Sequence, residues 1–222
     1  MSIKNNLQTI TDQLPKQVQL VAVSKFHPVE AIMEAYNAGQ RVFGEIRAQE
    51  IDEQQKLLPQ DICWHFIGHL QRNKVKQVAP YVSMIHSVES YRLLKEINKQ
   101  AKQNNRIIDC LLQIKIAQEE TKFGLQPQEC FNLLTNENWR ALENIRICGL
   151  MGMASNVESQ EQIQKEFLEL AHLFEKIKQK WFKDVSYFKE LSIGMSHDYP
   201  LAVQAGSTLI RVGSKIFGSR EY

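Results

Sequence analysis

The sequence predicts a single (β/α)8 barrel, and three observations lead to that fold class. Eight short apolar segments recur along the 222 residues, and patterns typical of helices fill the intervals between them. The first segment is a continuous run of Leu, Val and Ala, as expected for a parallel strand buried on both faces. No linker, low-complexity tract or short repeat divides the chain, so residues 1–222 are predicted to form one domain. A doubly wound open sheet is the alternative.

The predicted strands are short runs enriched in Val, Ile, Leu or aromatic residues. In chain order they are Leu20–Ser24, Arg41–Gly44, Cys63–Ile67, Met84–Ser87, Ile107–Ile116, Ile145–Leu150, Tyr187–Ile193 and Thr208–Val212. In a barrel the carboxyl ends of all the strands form one rim, where the active sites of this fold lie. The residues that end each strand are therefore the first candidates for function.

Helices are predicted between the strands from apolar residues at helical spacing. Pro28 suits the first turn of the helix after strand one, and Gly39 suits its end. Longer helices are predicted over Ser90–Asn104 and Val157–Trp181. The last helix must be short, because only ten residues follow Val212. The residues that predict a further helix before strand one are Ile3, Leu7 and Ile10.

Charge and cysteine content argue against several classes of function. The chain carries 27 basic and 25 acidic residues with no basic stripe, so nucleic-acid binding is not expected. No apolar run is long enough to cross a bilayer, and Met1–Gln13 lacks the apolar core of a signal peptide. The four cysteines are scattered without a C-x-x-C pair, which favours a reducing cytoplasm over disulfides or zinc. No large apolar stripe is left over, so a monomer is expected.

Lys25 stands at the carboxyl end of predicted strand one, directly after Leu20–Ser24. A lysine in partly desolvated surroundings loses some of its preference for the charged form. Its neutral amine can then attack a carbonyl carbon and form a Schiff base. The alternative is a lysine that simply leaves the strand for solvent.

Two turns of small residues follow predicted strands seven and eight. They contain Gly194 and Ser196 in the first turn, and Gly213 and Ser214 in the second. Glycine lets backbone N–H groups approach a ligand closely, and each turn carries a hydroxyl as a further donor. Loops after strands seven and eight are the habitual phosphate site of this barrel, and short helices after them would point N-terminal dipoles at the anion. Ordinary turn chemistry is the alternative.

A Schiff-base lysine beside a phosphate cradle fits two kinds of carbonyl phosphate. One is the sugar-phosphate substrate of a Schiff-base aldolase, and the other is pyridoxal phosphate (PLP). Arg211 lies inside the last apolar strand and needs a partner. It pairs either with a carboxylate such as Glu45 across the barrel or with the pyridine nitrogen of PLP. In the second case it keeps that nitrogen unprotonated, and the ring is a weaker electron sink than one paired with aspartate.

Other patterns predict less about function. His65 and His69 have a metal-like spacing, but that spacing needs a helix and this segment is predicted as strand and loop, so no metal site is predicted. The basic run over residues 71–76 is predicted to be a solvated helix face. Arg220 and Tyr222 are expected to pack back on the barrel. The other residues predicted near strand ends are Glu45, Gly68, His86, Ser87, Lys115, Lys122 and Met151.

Eight motifs, in order over nearly the whole chain, carry a resemblance to a known family. They are A-V-S-K (22–25), F-G-E-x-x-x-Q-E (43–50), W-H-F-I-G-H-L-Q-R-N-K (64–74), H-S-V-E-S (86–90), T-K-F-G-L (121–125), G-L-M-G-M (149–153), L-S-I-G-M-S-H-D (191–198) and G-S-T-L-I-R-V-G-S-K-I-F-G-S-R (206–220). The chain resembles the pyridoxal phosphate homeostasis protein family, which is related to the N-terminal barrel of alanine racemases. The resemblance implies a single (β/α)8 barrel.

The resemblance also implies roles for single residues. Lys25 matches the lysine that holds PLP as an internal aldimine, and Arg211 matches the arginine that faces the pyridine nitrogen. Ser196, Gly213 and Ser214 match the phosphate cradle.

The resemblance also bears on three further points, which concern Lys122, Ile46 and Ser214. Lys122 matches a second family lysine, outside the main site, that is proposed to take part in cofactor handling. The family often has Asn or Ser after F-G-E, whereas this chain has Ile46, whose side chain offers no hydrogen bond to the cofactor. Position 214 is often Thr, and Ser214 keeps the hydroxyl.

The function implied is reversible binding of PLP and control of its free level, without strong catalysis. Racemases of this type carry a second, β-rich domain that supplies a catalytic tyrosine, and this chain has no length for it after Val212. No catalytic residue is therefore assigned, and PLP-dependent apoenzymes are the candidate recipients. A PLP-dependent racemase or a related enzyme is the alternative, and a Schiff-base aldolase is a third class.

Overall fold

The computed structural model describes residues 2–119 and 123–218, which form a closed barrel of eight strands. Each strand pairs in parallel with the next, and β8 closes the barrel against β1. The strands are β1 (Gln19–Val23), β2 (Val42–Glu45), β3 (Cys63–Phe66), β4 (Val82–Val88), β5 (Ile108–Ile114), β6 (Ile145–Gly152), β7 (Glu190–Ser192) and β8 (Leu209–Val212). The predicted barrel is confirmed, and the open sheet is wrong.

One helix precedes β1, and the other helices fill the intervals between strands or follow β8. They are α1 (Ile3–Gln13), α2 (Val29–Asn37), α3 (Ala48–Gln54), α4 (Val75–Val78), α5 (Tyr91–Gln103), α6 (Pro127–Asn136), α7 (Gln160–Trp181), α8 (Tyr199–Gln204) and α9 (Ser214–Phe217), with short 3-10 helices at Arg72–Lys74 and Trp139–Ala141. The predicted short last helix is α9. In the part of the chain that the structure describes, no helix has both the length and the apolar character needed to cross a membrane.

Serine caps set the beginnings of the two long helices that the sequence predicts. The Ser90 hydroxyl accepts the N–H of Leu93 at 3.2 Å, and α5 begins at the next residue, as predicted. The predicted helix from Val157 begins three residues later, because the Ser159 hydroxyl accepts the N–H of Gln162 at 3.3 Å. A side-chain acceptor of this kind satisfies an N–H that has no partner within the helix, and so favours a start at that point.

Strand β7 is shorter than the sequence predicts, since it begins at Glu190 and not at Tyr187. The preceding segment packs the Phe188 ring into the core instead of extending the sheet. That ring stacks on Phe182 at 4.2 Å and on Phe174 at 5.0 Å between centroids. Burial of these rings outweighs the strand propensity of the segment.

Apolar side chains form two layers around the sheet. The larger layer lies between strands and helices and includes the fully buried Phe43 and Phe167. Neighbouring residues in a sheet share a face, and the register pairs Val21 with Arg211, so both of these side chains point into the barrel. The smaller layer lies inside the barrel and comprises Val21, Val42, Met84, Leu111, Cys148, Met151 and Leu209.

Candidate functional site

A cavity of about 650 Å³ opens at the rim formed by the carboxyl ends of the strands. Its size is typical of sites for small organic ligands. Apolar side chains from several strand ends contribute to its walls, among them Val23, Ile46, Ile67 and Met153. The five predicted site residues all line it as well, and they are Lys25, Ser196, Arg211, Gly213 and Ser214.

Lys25 lies two residues after β1, and its side chain is half-buried in the cavity wall. The chain turns sharply here, because His27 donates its N–H to the Ser24 carbonyl oxygen at 3.0 Å. Phe26 takes the left-handed φ of 66°, a geometry that costs a non-glycine residue roughly 1–2 kcal/mol. The Arg47 guanidinium lies 4.5 Å from the centroid of the Phe26 ring and helps to hold the turn. This turn sets the direction in which Lys25 enters the cavity.

The turns after β7 and β8 meet through one hydrogen bond. Gly213 donates its N–H to Ser196 Oγ at 3.2 Å, so the Ser196 hydroxyl proton remains available to a ligand. Helix α9 begins at Ser214, and the geometry of a helix start leaves the N–H groups of Ser214 and Lys215 without an acceptor inside that helix. These N–H groups and the two serine hydroxyls form a set of donors suited to an anion.

Arg211 is 4% exposed and projects from β8 into the barrel. Its Nη1 donates to the Ser192 carbonyl oxygen at 2.8 Å and to Ser192 Oγ at 2.6 Å, and its Nη2 donates to the Gly152 carbonyl oxygen at 3.0 Å. Burial lowers the pKa of the guanidinium to about 10, and the charge of Asp198 opposes that fall. Arg211 therefore remains a cation at neutral pH.

The alternative partner predicted for Arg211, the Glu45 carboxylate, is not its partner in the structure. Glu45 accepts from Ser24 Oγ at 2.8 Å and from the N–H of Ile46 at 3.3 Å. Burial raises the pKa of Glu45 to about 8, the Ser24 hydrogen bond lowers it, and the neighbouring Glu50 raises it further. A carboxyl that holds its proton at neutral pH gives little attraction to an arginine, so Arg211 relies on neutral acceptors.

The metal-like spacing of His65 and His69 does not bring these two rings onto one centre. His65 Nδ1 lies 2.9 Å from His86 Nε2 inside the barrel, whereas His69 Nδ1 lies 3.3 Å from Glu89 at the rim. Burial lowers the pKa of His65 to about 4. Burial and the nearby Arg211 hold the pKa of His86 well below its usual range, so both buried imidazoles are neutral at pH 7.

The structure adds residues to the cavity that sequence reasoning did not assign. His27 stands two residues after Lys25, and His197 directly follows Ser196; both line the cavity. Their closeness in sequence to predicted site residues could have identified them. Phe123 also lines the cavity, and its ring stacks on His69 at 4.4 Å. Gln113 holds that segment, because its Nε2 donates to the Phe123 carbonyl oxygen at 3.0 Å.

The other residues predicted near strand ends divide into two groups. Gly68 and His69 line the cavity. The side chains of Glu45, His86, Ser87 and Met151 are buried in the barrel wall or interior and do not line it, and neither does Lys115. Lys122, Arg220 and Tyr222 lie outside the described residues.

Comparison with known proteins first defines the class of this barrel. A family model described as alanine racemase, N-terminal domain, matches residues 1–221. The alanine racemase of Clostridium difficile 630 superimposes with a TM-score of 0.72 at 15% identity, over all of this chain and 57% of the racemase. That likeness shows the fold alone.

Relatives with curated names show to which family within this class the chain belongs. A protein of Aquifex aeolicus is 37% identical over 205 residues, which are 92% of this chain and 88% of the relative. A protein of Synechocystis is 40% identical over 93% of this chain and 94% of the relative. A protein of Escherichia coli K12 is 35% identical over 99% of this chain and 97% of the relative. All three carry the name pyridoxal phosphate homeostasis protein. This chain belongs to that family.

Two solved structures of PipY from Synechococcus elongatus are similar over 98% of this chain and all of theirs. The structure without PLP has a TM-score of 0.91 at 38% identity. The structure with PLP bound has a TM-score of 0.88 at 37% identity. The barrel described here is thus close to a relative solved both with and without the cofactor.

Proposed function

We propose that this protein binds PLP at the mouth of its barrel, holds it covalently but reversibly through Lys25, and takes part in control of intracellular PLP without strong catalysis of its own. One observation carries the proposal. An amine, an arginine and a set of anion donors, which come from three different strand ends, line one cavity. The names of the curated relatives and the PLP-bound PipY structure support it.

The chemistry of the donor set fits three polar parts of PLP, which are the aldehyde, the phosphate and the pyridine nitrogen. When bound, PLP supplies an aldehyde that condenses reversibly with an amine, together with an electron-withdrawing pyridine ring. Lys25 provides the amine. Its half-buried position limits access of water, and the turn at Phe26 keeps it directed into the cavity.

The phosphate of PLP is assigned to the turns after β7 and β8. Ser196 and Ser214 offer hydroxyls, and the backbone from Gly213 into α9 offers N–H groups. Neutral donors of this kind bind a dianion by hydrogen bonds without a permanent counter-charge.

Arg211 is assigned to the pyridine nitrogen. It is a cation on the floor of the cavity, and a second positive charge on the ring nitrogen beside it is unfavourable. The arrangement keeps the nitrogen unprotonated, which weakens the ring as an acceptor of electrons from a bound amino acid. This is the physical reason to favour holding of the cofactor over catalysis.

We further propose that the chain is a single domain that acts as a monomer in the cytoplasm. It would pass PLP to PLP-dependent apoenzymes, with neither nucleic acid nor membrane as a partner. The family model named for alanine racemase keeps a racemase, or a related PLP enzyme, as the second candidate.

Covalent loading at Lys25 is the first test. The purified protein mixed with PLP is expected to turn yellow, and borohydride is expected to fix one PLP per chain on a peptide containing Lys25. Lys25→Ala is expected to lose this adduct. Lys115→Ala is the matched control, since Lys115 is also half-buried after a strand end but does not line the cavity.

Two results would contradict the proposal. Absence of any PLP uptake by the unaltered protein would favour the aldolase class. Racemisation of free amino acids at ordinary enzyme rates, abolished in Lys25→Ala, would replace the carrier by the racemase.

A further inference from the structure

Polar side chains inside the barrel form a continuous series of hydrogen bonds below the cavity. Arg211 donates from Nη1 to Ser192 Oγ at 2.6 Å. Ser192 Oγ lies 2.9 Å from His86 Nδ1, and His86 Nε2 lies 2.9 Å from His65 Nδ1. These residues belong to β8, β7, β4 and β3, so the series crosses the barrel from one wall to the other. None of the four side chains belongs to a residue more than 5% exposed.

The direction of donation along this series follows from Arg211, because a guanidinium can donate but cannot accept. Ser192 Oγ accepts from Arg211, and its own proton then has His86 Nδ1 as the acceptor. If His86 donated from Nδ1 instead, the Ser192 proton would need another acceptor. Among residues 2–119 and 123–218, no other acceptor forms a hydrogen bond with Ser192 Oγ. A buried hydroxyl without an acceptor is costly, so the first direction is favoured.

The same direction fixes the tautomers of both histidines. His86 accepts at Nδ1 and therefore carries its proton on Nε2, from which it donates to His65 Nδ1. His65 then carries its own proton on Nε2. Their low pKa values agree with neutral rings, since burial acts against a second proton on each. Each hydrogen bond in the series is thus donated in the direction from Arg211 toward His65.

We infer that Ser192, His86 and His65 are positioning residues, which orient the Arg211 guanidinium at the cavity floor and carry no proton toward it. The inference rests on the proposed function, because the orientation of Arg211 matters only if a ring nitrogen lies against it. Because the guanidinium cannot accept a hydrogen bond, the series passes no proton to Arg211 or to a ring nitrogen beyond it. Arg211 is thus a fixed donor with a permanent charge.

The first experiment needs neither a ligand nor a variant. Long-range ¹H–¹⁵N spectra of the free protein report which nitrogen of each histidine bears the proton. We expect His65 and His86 to be neutral at pH 7, with the proton on Nε2. A proton on Nδ1 of His86, or on both of its nitrogens, would overturn the inference.

The second experiment compares two serine-to-alanine variants. Ser192→Ala removes the link between Arg211 and His86, whereas Ser87→Ala removes a buried hydroxyl that has no hydrogen-bond partner among the described residues. Only Ser192→Ala is expected to relax the tautomer preference of His86. It is also expected to shift the absorption band of the PLP-loaded protein and to release PLP about tenfold faster.

The outcomes distinguish a failure of this inference from a failure of the proposed function. If the unaltered protein takes up no PLP, the proposed function fails, and the tautomers of the free protein still decide the direction of the series. If PLP binds but Ser192→Ala matches Ser87→Ala in both absorption and release, the positioning role is wrong. Ser192→Thr, which keeps the hydroxyl, is expected to restore the absorption band.

Discussion

Glu45 shows how one side chain can make stability depend on pH. Its pKa is raised by burial from 4.5 to about 8, so the folded chain keeps a proton that the unfolded chain loses above about pH 4.5. Stability from this group is complete below pH 4.5 and is lost as the pH rises through 8. Glu45→Gln is expected to remove this dependence, so the free energy of unfolding should fall less between pH 5 and 8 than in the unaltered protein.

Urea unfolding at several pH values measures this difference, with a limiting slope of about 1.4 kcal/mol per pH unit for one proton. Glu30→Gln is the control, because Glu30 is exposed on α2. Equal pH profiles for Glu45→Gln and the unaltered protein would show that Glu45 is ionised in the folded state. His65 has the opposite effect on stability below pH 6.5, because its lowered pKa favours protonation in the unfolded chain. This effect is the same in Glu45→Gln and in the unaltered protein.

The site residues differ in how far the sequence could predict them. Lys25, Gly213 and Ser214 follow apolar strands directly, and a rim position needs only the end of a strand. The contact between His86 and Ser192 joins residues 106 apart across the barrel. It depends on strand register and on which face each side chain takes, and neither can be read from periodicity alone. The series below the cavity was therefore not predicted.

Among the elements, the turn between β7 and α8 leaves no room for a side chain at its glycine. Gly194 has a φ of 93°, and a Cβ at this position would lie 2.6 Å from Cβ of Ala202. Gly194→Ala is expected to destabilise the fold by about 2–4 kcal/mol through backbone strain and this clash. It is also expected to weaken PLP binding, because the turn carries Ser196. Chemical unfolding and PLP titration measure the two effects.

Gly39→Ala separates the strain from the clash. Gly39 has a similar φ of 104°, but nothing lies within 4 Å of the Cβ position, so only the strain of about 1 kcal/mol is expected there. PLP binding should be unchanged, because Gly39 follows α2 and does not line the cavity. Equal losses of stability in the two variants would refute the clash at Gly194.

Element boundaries were predicted less well than element types. A hydroxyl on Ser159 moved the start of α7, and ring stacking by Phe188 shortened β7. In both cases a single side-chain contact overrides the structural preference of the local sequence. The apolar spacing that predicts a helix or a strand is the same on either side of such a contact, so only the packed structure decides the boundary.

At the scale of the whole molecule, the fold class followed from few facts. Strands that alternate with helices favour a parallel sheet, and eight of them are enough to close it. The choice between a barrel and an open sheet depends on whether the last strand meets the first. The pairing of β1 with β8 over Gln19–Ala22 settles that choice.

A monomer is the expected state in solution. Few large apolar side chains are exposed in the described residues, and a monomer needs no large apolar surface to be covered. They are Phe26, Leu57, Ile107, Phe123, Val157, Leu168 and Tyr187. Light scattering after size exclusion is expected to give 25.7 kDa both with and without PLP. A mass twice as large at micromolar concentration would contradict this expectation.

Closure of the sheet has a consequence for the barrel when its cavity is empty. In residues 2–119 and 123–218 every strand has a neighbour on both sides, so this sheet has no free edge at which a strand from another molecule could pair. The cavity lies at one end of the barrel, so a ligand can leave it without breaking a strand pair. Binding and release therefore need not expose a sheet edge, which is the feature through which strands of different molecules commonly associate.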